Sequence, residues 1–225
     1  MEFSRRQLLG AGAAAGMFAT SANAQSLSEI VAGLRDPARP SLYPIAPVTP
    51  RALHRPAINP GLLARARAAL DAKSGMIRHR NVIGITDFSR ASRDPRFYLL
   101  YVGSGMVTEY HVAHGRGSDP AHTGWLNHFS NAVGSEASSS GAYVTGDVYY
   151  GKYGRSLRLT GLDYSNSNAE DRAIVVHAAW YANPKVISQH GKLGRSEGCF
   201  ALSELSLQYV LQQLGPGRLL YADKV

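Results

Sequence analysis

The 225-residue chain has one cysteine, no run of like charges and, beyond its first 24 residues, no long apolar stretch. A single cysteine cannot form a disulfide within its own chain, so the fold must be stable without one. Without 18 or more consecutive apolar residues, the body of the chain contains no membrane-spanning helix. The formal charge is +8, but lysines and arginines are scattered and not interleaved with aromatic residues. This distribution argues against nucleic-acid binding.

Residues 1–24 have the features of an export signal rather than of a folded element. The pair Arg5-Arg6 precedes a small-residue run that ends in Ala22-Asn23-Ala24, a typical cleavage pattern. The arginine pair favours twin-arginine export, and a general secretory signal is the alternative. We therefore expect a mature protein in the periplasm or extracytoplasmic cell wall, with no stable membrane insertion after cleavage. Its basic charge would suit anionic wall polymers or lipid headgroups, but a solvated basic surface explains it better.

The rest of the chain divides into an N-terminal arm and a larger domain. Residues 25–74 combine a proline-rich stretch, with seven prolines between Pro37 and Pro60, and a helix predicted at 60–73. Residues 75–225 are rich in short Val, Ile, Thr and Tyr runs separated by turn residues, which predicts a compact, mainly β domain. Strands are expected within 81–88, 96–103, 106–113, 141–150, 156–162, 172–180 and 218–222, and a helix at 203–215.

The stretch from 115 to 140 is too long for an ordinary hairpin connection. Long loops in compact domains are usually functional or mobile.

The lone cysteine lies in the stretch GRSEGC, residues 194–199. A buried, inert cysteine is one interpretation of Cys199. The flanking Gly194 and Gly198 favour another, because they allow a turn that exposes the sulfur and nearby N–H groups. Nucleophilic attack on a carbonyl needs an accessible thiol, a base and N–H donors for the oxyanion.

Eight histidines compete for the role of base. His177 ends the apolar run AIVVH, which predicts a side chain at the end of a buried strand and aimed at a cleft; a satisfied core histidine is the alternative. His114 and His190, each followed by glycine, are weaker candidates. His111 and His114 would point to opposite faces of a strand, so they make a poor metal chelate and we expect no metal site.

A strand-ending histidine followed downstream by [S/T]-x-G-C resembles the L,D-transpeptidase (YkuD-like) catalytic domains of bacterial cell walls, in a branch carrying GRSxGC. The resemblance extends through the segments at 111–118, 129–146, 150–163 and 172–181 and covers about residues 78–222. It implies a compact L,D-transpeptidase-like β-sandwich domain with a few short helices.

The resemblance implies that Cys199 attacks a peptidoglycan stem peptide, with His177 as base and a thioester as intermediate. The N–H groups of Gly198 and Cys199 would hold the oxyanion, and no cofactor is required. Four further positions are implied to bind substrate: Arg195, Ser196, Tyr143 and Asn131. For Arg195 an ion pair within the protein is nearly as good an explanation. For Ser196 we favour fixing the turn through a side-chain to backbone bond.

The chain departs from the common family pattern at three places near the site. Glu197 stands where a histidine is usual, Ala178 replaces the glycine after the base, and Phe200-Ala201 replace a downstream arginine. The separation of His177 from Cys199 is also longer than in most members. The group that orients His177 is left open, since the family commonly uses a backbone carbonyl.

Two alternatives to a transpeptidase remain at this point. With water as the acceptor, the same acyl-enzyme would make the protein an L,D-carboxypeptidase or peptidoglycan hydrolase. With an inert Cys199, it would be a non-catalytic wall-binding module.

Overall fold

The computed structural model of the chain describes residues 58–225. The signal predicted at 1–24 and most of the arm predicted at 25–74 lie outside the described residues. Between residues 58 and 225, no helix combines the length and apolarity needed to cross a bilayer.

In this part of the chain, eight strands form one continuous hydrogen-bonded sheet with the order β3-β2-β1-β8-β4-β5-β6-β7. Most neighbours are antiparallel, and β1–β8 and β6–β7 are parallel. The strands are β1 (Val82–Asp87), β2 (Phe97–Tyr101), β3 (Val107–Tyr110), β4 (Gly141–Gly151), β5 (Gly154–Gly161), β6 (Val175–Ala178), β7 (Phe200–Leu202) and β8 (Leu219–Asp223).

Three α-helices accompany the sheet in residues 58–225: α1 (Pro60–Ala72), α2 (Pro184–His190) and α3 (Glu204–Leu214). The side chain of Asn59 accepts the N–H groups at the start of α1, and Ser203 caps α3 in the same way. Each of these two helices packs one apolar face on the sheet; the buried residues are Leu62, Ala66 and Leu70 in α1 and Leu207, Val210, Leu211 and Leu214 in α3.

The strands in the middle of the sheet are buried on both faces. All six residues of β1 are buried, and α1 and α3 contribute to two separate clusters of core side chains. Burying a single large aliphatic side chain stabilises a fold by about 1.5–3 kcal/mol, so these helices fix the sheet from its two sides. Val176 of β6 and Phe200 of β7 belong to the same core cluster as α3, so this helix also anchors the β6–β7 edge of the sheet.

The mainly β fold class predicted from the sequence is confirmed, and so are the helices predicted at 60–73 and 203–215. Each of the seven expected strand segments overlaps one strand of the sheet. The structure adds β7, which has only three residues, and α2, whose sequence PKVISQH has no apolar stripe and no buried residue. β6 and β7 are parallel, and parallel strands need a long crossover connection. α2 lies within that connection. That connection explains the wide spacing of His177 and Cys199.

Candidate active site

The parallel pairing of β6 with β7 brings the predicted base and nucleophile to adjacent strands. His177 pairs with Ala201 in the register of the two strands, and Cys199 immediately precedes β7. Both side chains are nearly covered, with 1% of His177 and 6% of Cys199 exposed. Two groups far apart in the sequence thus lie on neighbouring segments of the chain, two residues apart in the register of the strand pair.

The His177 ring is oriented by a backbone carbonyl. Its Nδ1 lies 2.9 Å from the carbonyl oxygen of Ala178, and because a carbonyl only accepts, Nδ1 carries the proton. The Tyr153 ring stacks on the imidazole with ring centroids 4.3 Å apart. Burial lowers the pKa of His177 below its ordinary value of 6.5, and the hydrogen bond to Ala178 opposes this shift. The ring is therefore neutral near pH 7, with Nε2 available to accept a proton.

The Cys199 thiol is protonated at rest. Burial raises the pKa of Cys199 above its ordinary value of 9.0, while the Val175 N–H and the Arg172 charge act in the opposite direction. The sulfur lies 3.5 Å from the carbonyl oxygen of Ala173, to which the thiol donates. The thiol's hydrogen bond thus goes to Ala173 rather than to His177, and attack on a substrate requires the sulfur to leave that carbonyl.

Ser196 fixes the turn that presents the thiol. Its hydroxyl donates to the carbonyl oxygen of Cys199 at 2.7 Å and accepts the N–H of Gly198 at 3.2 Å. These bonds give Ser196 the turn-fixing role favoured from the sequence. They also occupy the Gly198 N–H, which was expected to hold the oxyanion, whereas the Cys199 N–H donates to no acceptor within residues 58–225.

Gly198 has a backbone conformation that only glycine adopts easily, with φ at +113°. A Cβ at this position would lie 2.8 Å from the Ala137 carbonyl oxygen and 2.8 Å from Ile174 Cδ1. We expect Gly198→Ala to lower the free energy of unfolding by about 2–3 kcal/mol and to reduce the rate of thiol acylation more than tenfold.

The matched control for this prediction is Gly105→Ala. Gly105 also has a positive φ, but no atom lies within 4 Å of the added Cβ. Denaturant unfolding and thiol acylation rates should show a smaller stability loss and unchanged acylation for the control. Equal acylation by the Gly198 variant and the wild type would contradict the prediction.

The long stretch at 115–140 packs directly on the thiol turn. The N–H of Ser196 donates to the His114 carbonyl, the N–H of Arg116 donates to the Ser196 carbonyl, and Gly115 forms an isolated bridge with Ser196. The Ser138 hydroxyl accepts the Gly115 N–H at 3.0 Å. This loop is therefore one wall of the turn that carries Cys199.

His114, a weaker candidate for the base, belongs to a buried polar network instead. The Arg96 guanidinium lies 2.7 Å from His114 Nδ1, so His114 accepts there and donates from Nε2 to Asp119 at 3.3 Å. Burial and the Arg96 charge lower the pKa of His114 to about 3. With both ring nitrogens occupied, His114 positions the loop and has no free nitrogen for proton transfer.

Arg172 is a residue of the site that sequence reasoning missed. Its guanidinium donates to the carbonyl oxygens of Ser130 and Ala137 and to the Ser139 hydroxyl. It also lies close to Gly198, since its Nη2 would be 3.1 Å from a Cβ built there. Arg172 thus ties the 115–140 loop to the thiol turn and adds a positive charge near Cys199. The residue precedes β6, at a position that the sequence presents as an ordinary surface arginine.

The four positions implied to bind substrate fall in different places. Arg195 donates to the carbonyl oxygens of Asp119 and Pro120, so it ties the turn to the loop, and a further role toward a substrate carboxylate stays a prediction. Ser196 lies within the turn, as described above.

Tyr143 was implied to bind substrate, and the structure corrects this expectation. Its side chain is fully buried, its hydroxyl donates to the Ser139 carbonyl, and its ring packs edge-on against Phe200. It supports the strand behind the thiol and does not line a pocket, because its hydroxyl and ring are both engaged in the core.

Asn131 lines a separate polar groove of about 430 Å³ with Tyr164 and Asn168. Its side-chain amide donates to the Tyr164 carbonyl and to the Ser167 hydroxyl. The groove does not include Cys199 or His177, and a contact of Asn131 with substrate stays a prediction.

Two further histidines, His190 and His111, lie outside the thiol turn. His190 is exposed at the end of α2, and His111 lies 3.1 Å from the Arg93 carbonyl through Nε2. Within residues 58–225, no three His, Cys, Asp or Glu side chains are grouped so as to hold a metal ion.

Glu197, which stands where the family usually has histidine, adds an unfavourable charge beside the thiol. Its carboxylate raises the pKa of Cys199 and is 57% exposed, with Arg116 3.7 Å away. We expect Glu197→Gln to lower the pKa of Cys199, because the neutral amide no longer opposes the thiolate. Acylation near pH 7 should rise by no more than about threefold, since solvent screens an exposed charge.

This effect is measured as the pH dependence of thiol acylation at low and high salt. Asp147→Asn is the control for loss of an exposed carboxylate on β4, outside the thiol turn. The gain from Glu197→Gln should shrink in 1 M salt. A slower variant, or a gain that is independent of salt, would contradict this electrostatic role.

A family described as the L,D-transpeptidase catalytic domain matches residues 54–222, more than half of the chain. No curated protein matches the chain at a significant level.

Among the solved structures to which the chain is similar, three L,D-transpeptidases share low identity with it. An L,D-transpeptidase from Mycobacterium smegmatis has 13% identity and a TM-score of 0.38, over 64% of this chain and 58% of that one. One from Mycobacterium tuberculosis H37Rv has 15% identity and a TM-score of 0.40, over 64% and 57%. One from Xylanimonas cellulosilytica has 14% identity and a TM-score of 0.36, over 70% and 68%. The match thus spans less than two thirds of the two mycobacterial chains.

Proposed function

The chain belongs to the L,D-transpeptidase catalytic domain family. We propose that it is a cysteine-dependent L,D-transpeptidase that acts on peptidoglycan stem peptides through a thioester. Membership confirms the family predicted from the sequence, and the activity of the protein is part of the proposal. The nucleophile, the intermediate and the substrate are parts of the proposal.

The observation that supports the proposal best is the pairing of β6 with β7. It holds a neutral imidazole, its Nδ1 proton fixed by the Ala178 carbonyl, next to the strand that follows the chain's single cysteine. A backbone carbonyl is present whatever side chain follows the histidine. The change from glycine to Ala178 therefore leaves the orienting group in place.

In the first step, His177 Nε2 takes the proton of the Cys199 thiol as the sulfur turns away from the Ala173 carbonyl. The thiolate attacks the amide carbon between an L-centre and a D-residue of the stem. The Cys199 N–H is the donor available to the oxyanion, because Ser196 engages the N–H of Gly198. The C–N bond then breaks, the departing amine takes the proton from the His177 imidazolium, and a thioester remains.

In the second step, an amine of another stem attacks the thioester. Its nitrogen gives a proton to His177, the C–S bond breaks, and the sulfur recovers that proton to regenerate the Cys199 thiol. A new amide joins the two stems. With water in place of the amine, the same steps release a carboxylic acid, which is the L,D-carboxypeptidase alternative.

The surroundings of the thiol suit both steps. Burial keeps bulk water away from the sulfur. The positive charge of Arg172 partly offsets the free-energy cost of forming a thiolate there. The base is neutral near pH 7, so it can accept a proton without first losing one. Since peptidoglycan lies outside the cytoplasmic membrane, the proposal includes export by the signal predicted at residues 1–24.

Intact mass after incubation with a carbapenem tests the nucleophile. We expect the gain of one carbapenem mass per chain, because the thiolate opens the β-lactam ring and no group leaves. Peptide mapping should find the adduct on Cys199. An unmodified protein, or an adduct on another residue, would overturn the cysteine mechanism. An unmodified protein is the result expected of a wall-binding module with an inert thiol.

Purified muropeptides test the reaction. A donor stem with an acceptor stem should give a cross-linked dimer and the released D-amino acid. Release of the D-amino acid without a dimer, at any acceptor concentration, would replace the transpeptidase proposal by the carboxypeptidase one.

A further inference from the structure

A surface groove of about 430 Å³ lies beside the 115–140 loop, apart from the thiol turn. Its lining consists of five uncharged residues: Asn131, Ala132, Tyr164, Ser167 and Asn168. Two hydrogen bonds join the chain segments that form it. The Asn131 carbonyl accepts from Asn168 Nδ2 at 3.0 Å, and Asn131 Oδ1 accepts the Asn168 N–H at 3.1 Å. The lining is thus neutral and rich in amide and hydroxyl groups, which complements a neutral polar ligand.

Tyr164 presents its ring to solvent from a backbone that is fixed by hydrogen bonds. The residue is 96% exposed, while its carbonyl oxygen accepts from Asn131 Nδ2 at 2.9 Å. It begins a short 3₁₀ turn that is anchored by the fully buried Asn166. The Asn166 side chain accepts the Asp163 N–H at 2.9 Å and donates to the Ala142 carbonyl at 2.8 Å. A fixed and exposed ring offers a flat apolar face to a ligand without a further loss of backbone entropy on binding.

The groove is connected to the thiol turn through Arg172. The guanidinium of Arg172 donates to the Ser130 carbonyl at 2.7 Å, next to Asn131, and its Nη2 would lie 3.1 Å from a Cβ built on Gly198. One guanidinium group therefore spans the gap between the edge of the groove and the turn that carries Cys199. Since a peptide advances about 3.3–3.6 Å per residue, a stem of a few residues is long enough to cover this gap.

We propose that this groove binds the glycan strand of peptidoglycan, with a pyranose ring stacked on Tyr164 and an acetamido or hydroxyl group bonded to Asn168. The C–H face of a pyranose is apolar and suits the electron-rich face of an aromatic ring. Within residues 58–225 the Asn168 side chain makes a single hydrogen bond, so its carbonyl oxygen and one N–H remain for a sugar.

The inference rests on the proposed function, because the glycan is the part of that substrate to which the stem is attached. A donor that carries its sugar is held at two points, the pyranose in the groove and the scissile amide at Cys199. Binding at the first point raises the effective concentration of the stem at the second.

The test uses the full-length protein, isotope-labelled for NMR, with the tetrasaccharide of β-linked N-acetylglucosamine as a stem-free probe. The amide signals of Asn131 and of residues 164–168 should shift on titration. Tyr164→Ala should raise the Kd about fivefold, and Tyr164→Phe, which keeps the ring, should bind like the wild type. Tyr209→Ala is the matched control, because it removes an exposed ring from α3, outside the groove, and it should not change the Kd.

Donor stems with and without their disaccharide connect the groove to the reaction. Tyr164→Ala should raise the KM about fivefold for the stem that carries the disaccharide and leave the KM of the sugar-free stem unchanged. Its carbapenem acylation rate should equal that of the wild type, because a carbapenem has no glycan. The high exposure of Tyr164 means that the substitution removes no core contact, so a lost affinity cannot come from unfolding.

A wild type that shows no shifts at the groove would overturn the proposal, and so would Tyr164→Ala binding the tetrasaccharide as the wild type does. Equal losses of affinity in Tyr164→Ala and Tyr209→Ala would also overturn it. In these cases normal carbapenem acylation would leave the cysteine mechanism standing. A wild type that binds the tetrasaccharide in the groove but is not acylated would instead overturn the proposed enzyme and keep the glycan site, as part of a wall-binding module.

Discussion

Cys199→Ser is expected to leave a folded protein that no longer forms an acyl-enzyme. A hydroxyl is far less acidic than a thiol, and burial already raises the pKa of the group at this position. His177, whose pKa burial lowers, is too weak a base to ionise a buried hydroxyl. Loss of a nucleophile typically costs on the order of 10³-fold or more, so muropeptide turnover should fall below detection.

The fold should survive this change because the turn is held through backbone groups. Ser196 bonds the Cys199 carbonyl, which the substitution keeps, and a serine hydroxyl can replace the thiol as donor to Ala173. Circular dichroism and the melting temperature should match the wild type. Cys199→Ala is the companion variant, with no nucleophile at all. Turnover by either variant at the wild-type rate would exclude the thioester mechanism.

The burial of His177 at the end of a strand could be predicted from the sequence because its environment is local. An apolar run ending in a polar ring is visible in AIVVH, and β6 is buried as that run predicts. Two glycines, Gly194 and Gly198, make Cys199 the candidate nucleophile in the sequence, and Gly198 does adopt a positive φ. The sequence does not reveal the register of β6 and β7, which sets the positions of His177 and Cys199 relative to each other. β7 is only three residues long, and it pairs with β6 across a connection of more than twenty residues.

The supporting residues escaped prediction for a different reason. Arg96 is fully buried, although arginines are rarely so, and only the folded loop supplies its acceptors. Arg172 reaches the thiol turn only because the 115–140 loop folds back onto it. The orienting group of His177 is a main-chain carbonyl, which side-chain identities cannot reveal. Roles fixed by long-range packing or by the backbone thus require the structure.

The sequence also gave Gly198 a role that its neighbours change. A glycine before the nucleophile suggested a free oxyanion donor, but the Ser196 hydroxyl accepts that N–H. In the same short motif, Gly198 shapes the turn and Ser196 locks it. The N–H of Cys199 is left without an acceptor among residues 58–225.

His177→Ala is expected to keep the thiol and lose most of its reactivity. A general base contributes on the order of 10²- to 10⁴-fold, and acylation by a carbapenem near pH 7 should fall by that factor. Removal of the ring leaves a gap under Tyr153, so His177→Gln, which keeps most of the volume, is measured beside it. Both variants should show the same loss of rate, whatever their difference in melting temperature.

The pH dependence identifies the mechanism. Burial lowers the pKa of His177, so the wild-type rate should fall on acidification only below pH 6.5, where the ring gains a proton. In His177→Ala the rate should instead rise about tenfold per pH unit through the neutral range, because only ionised thiol reacts. That rise should continue beyond pH 9, since burial raises the pKa of Cys199 above 9.0.

Two other histidine variants are the controls. His190→Ala removes an exposed ring at the end of α2 and should acylate like the wild type. His114→Ala leaves Arg96 and Asp119 without their shared partner, so it should lower the melting temperature. While folded, it should still acylate far faster than His177→Ala, with the acidic limb of the wild type. If folded His114→Ala or His190→Ala were inactive and His177→Ala active, the base would be another histidine, although the role of Cys199 would stand.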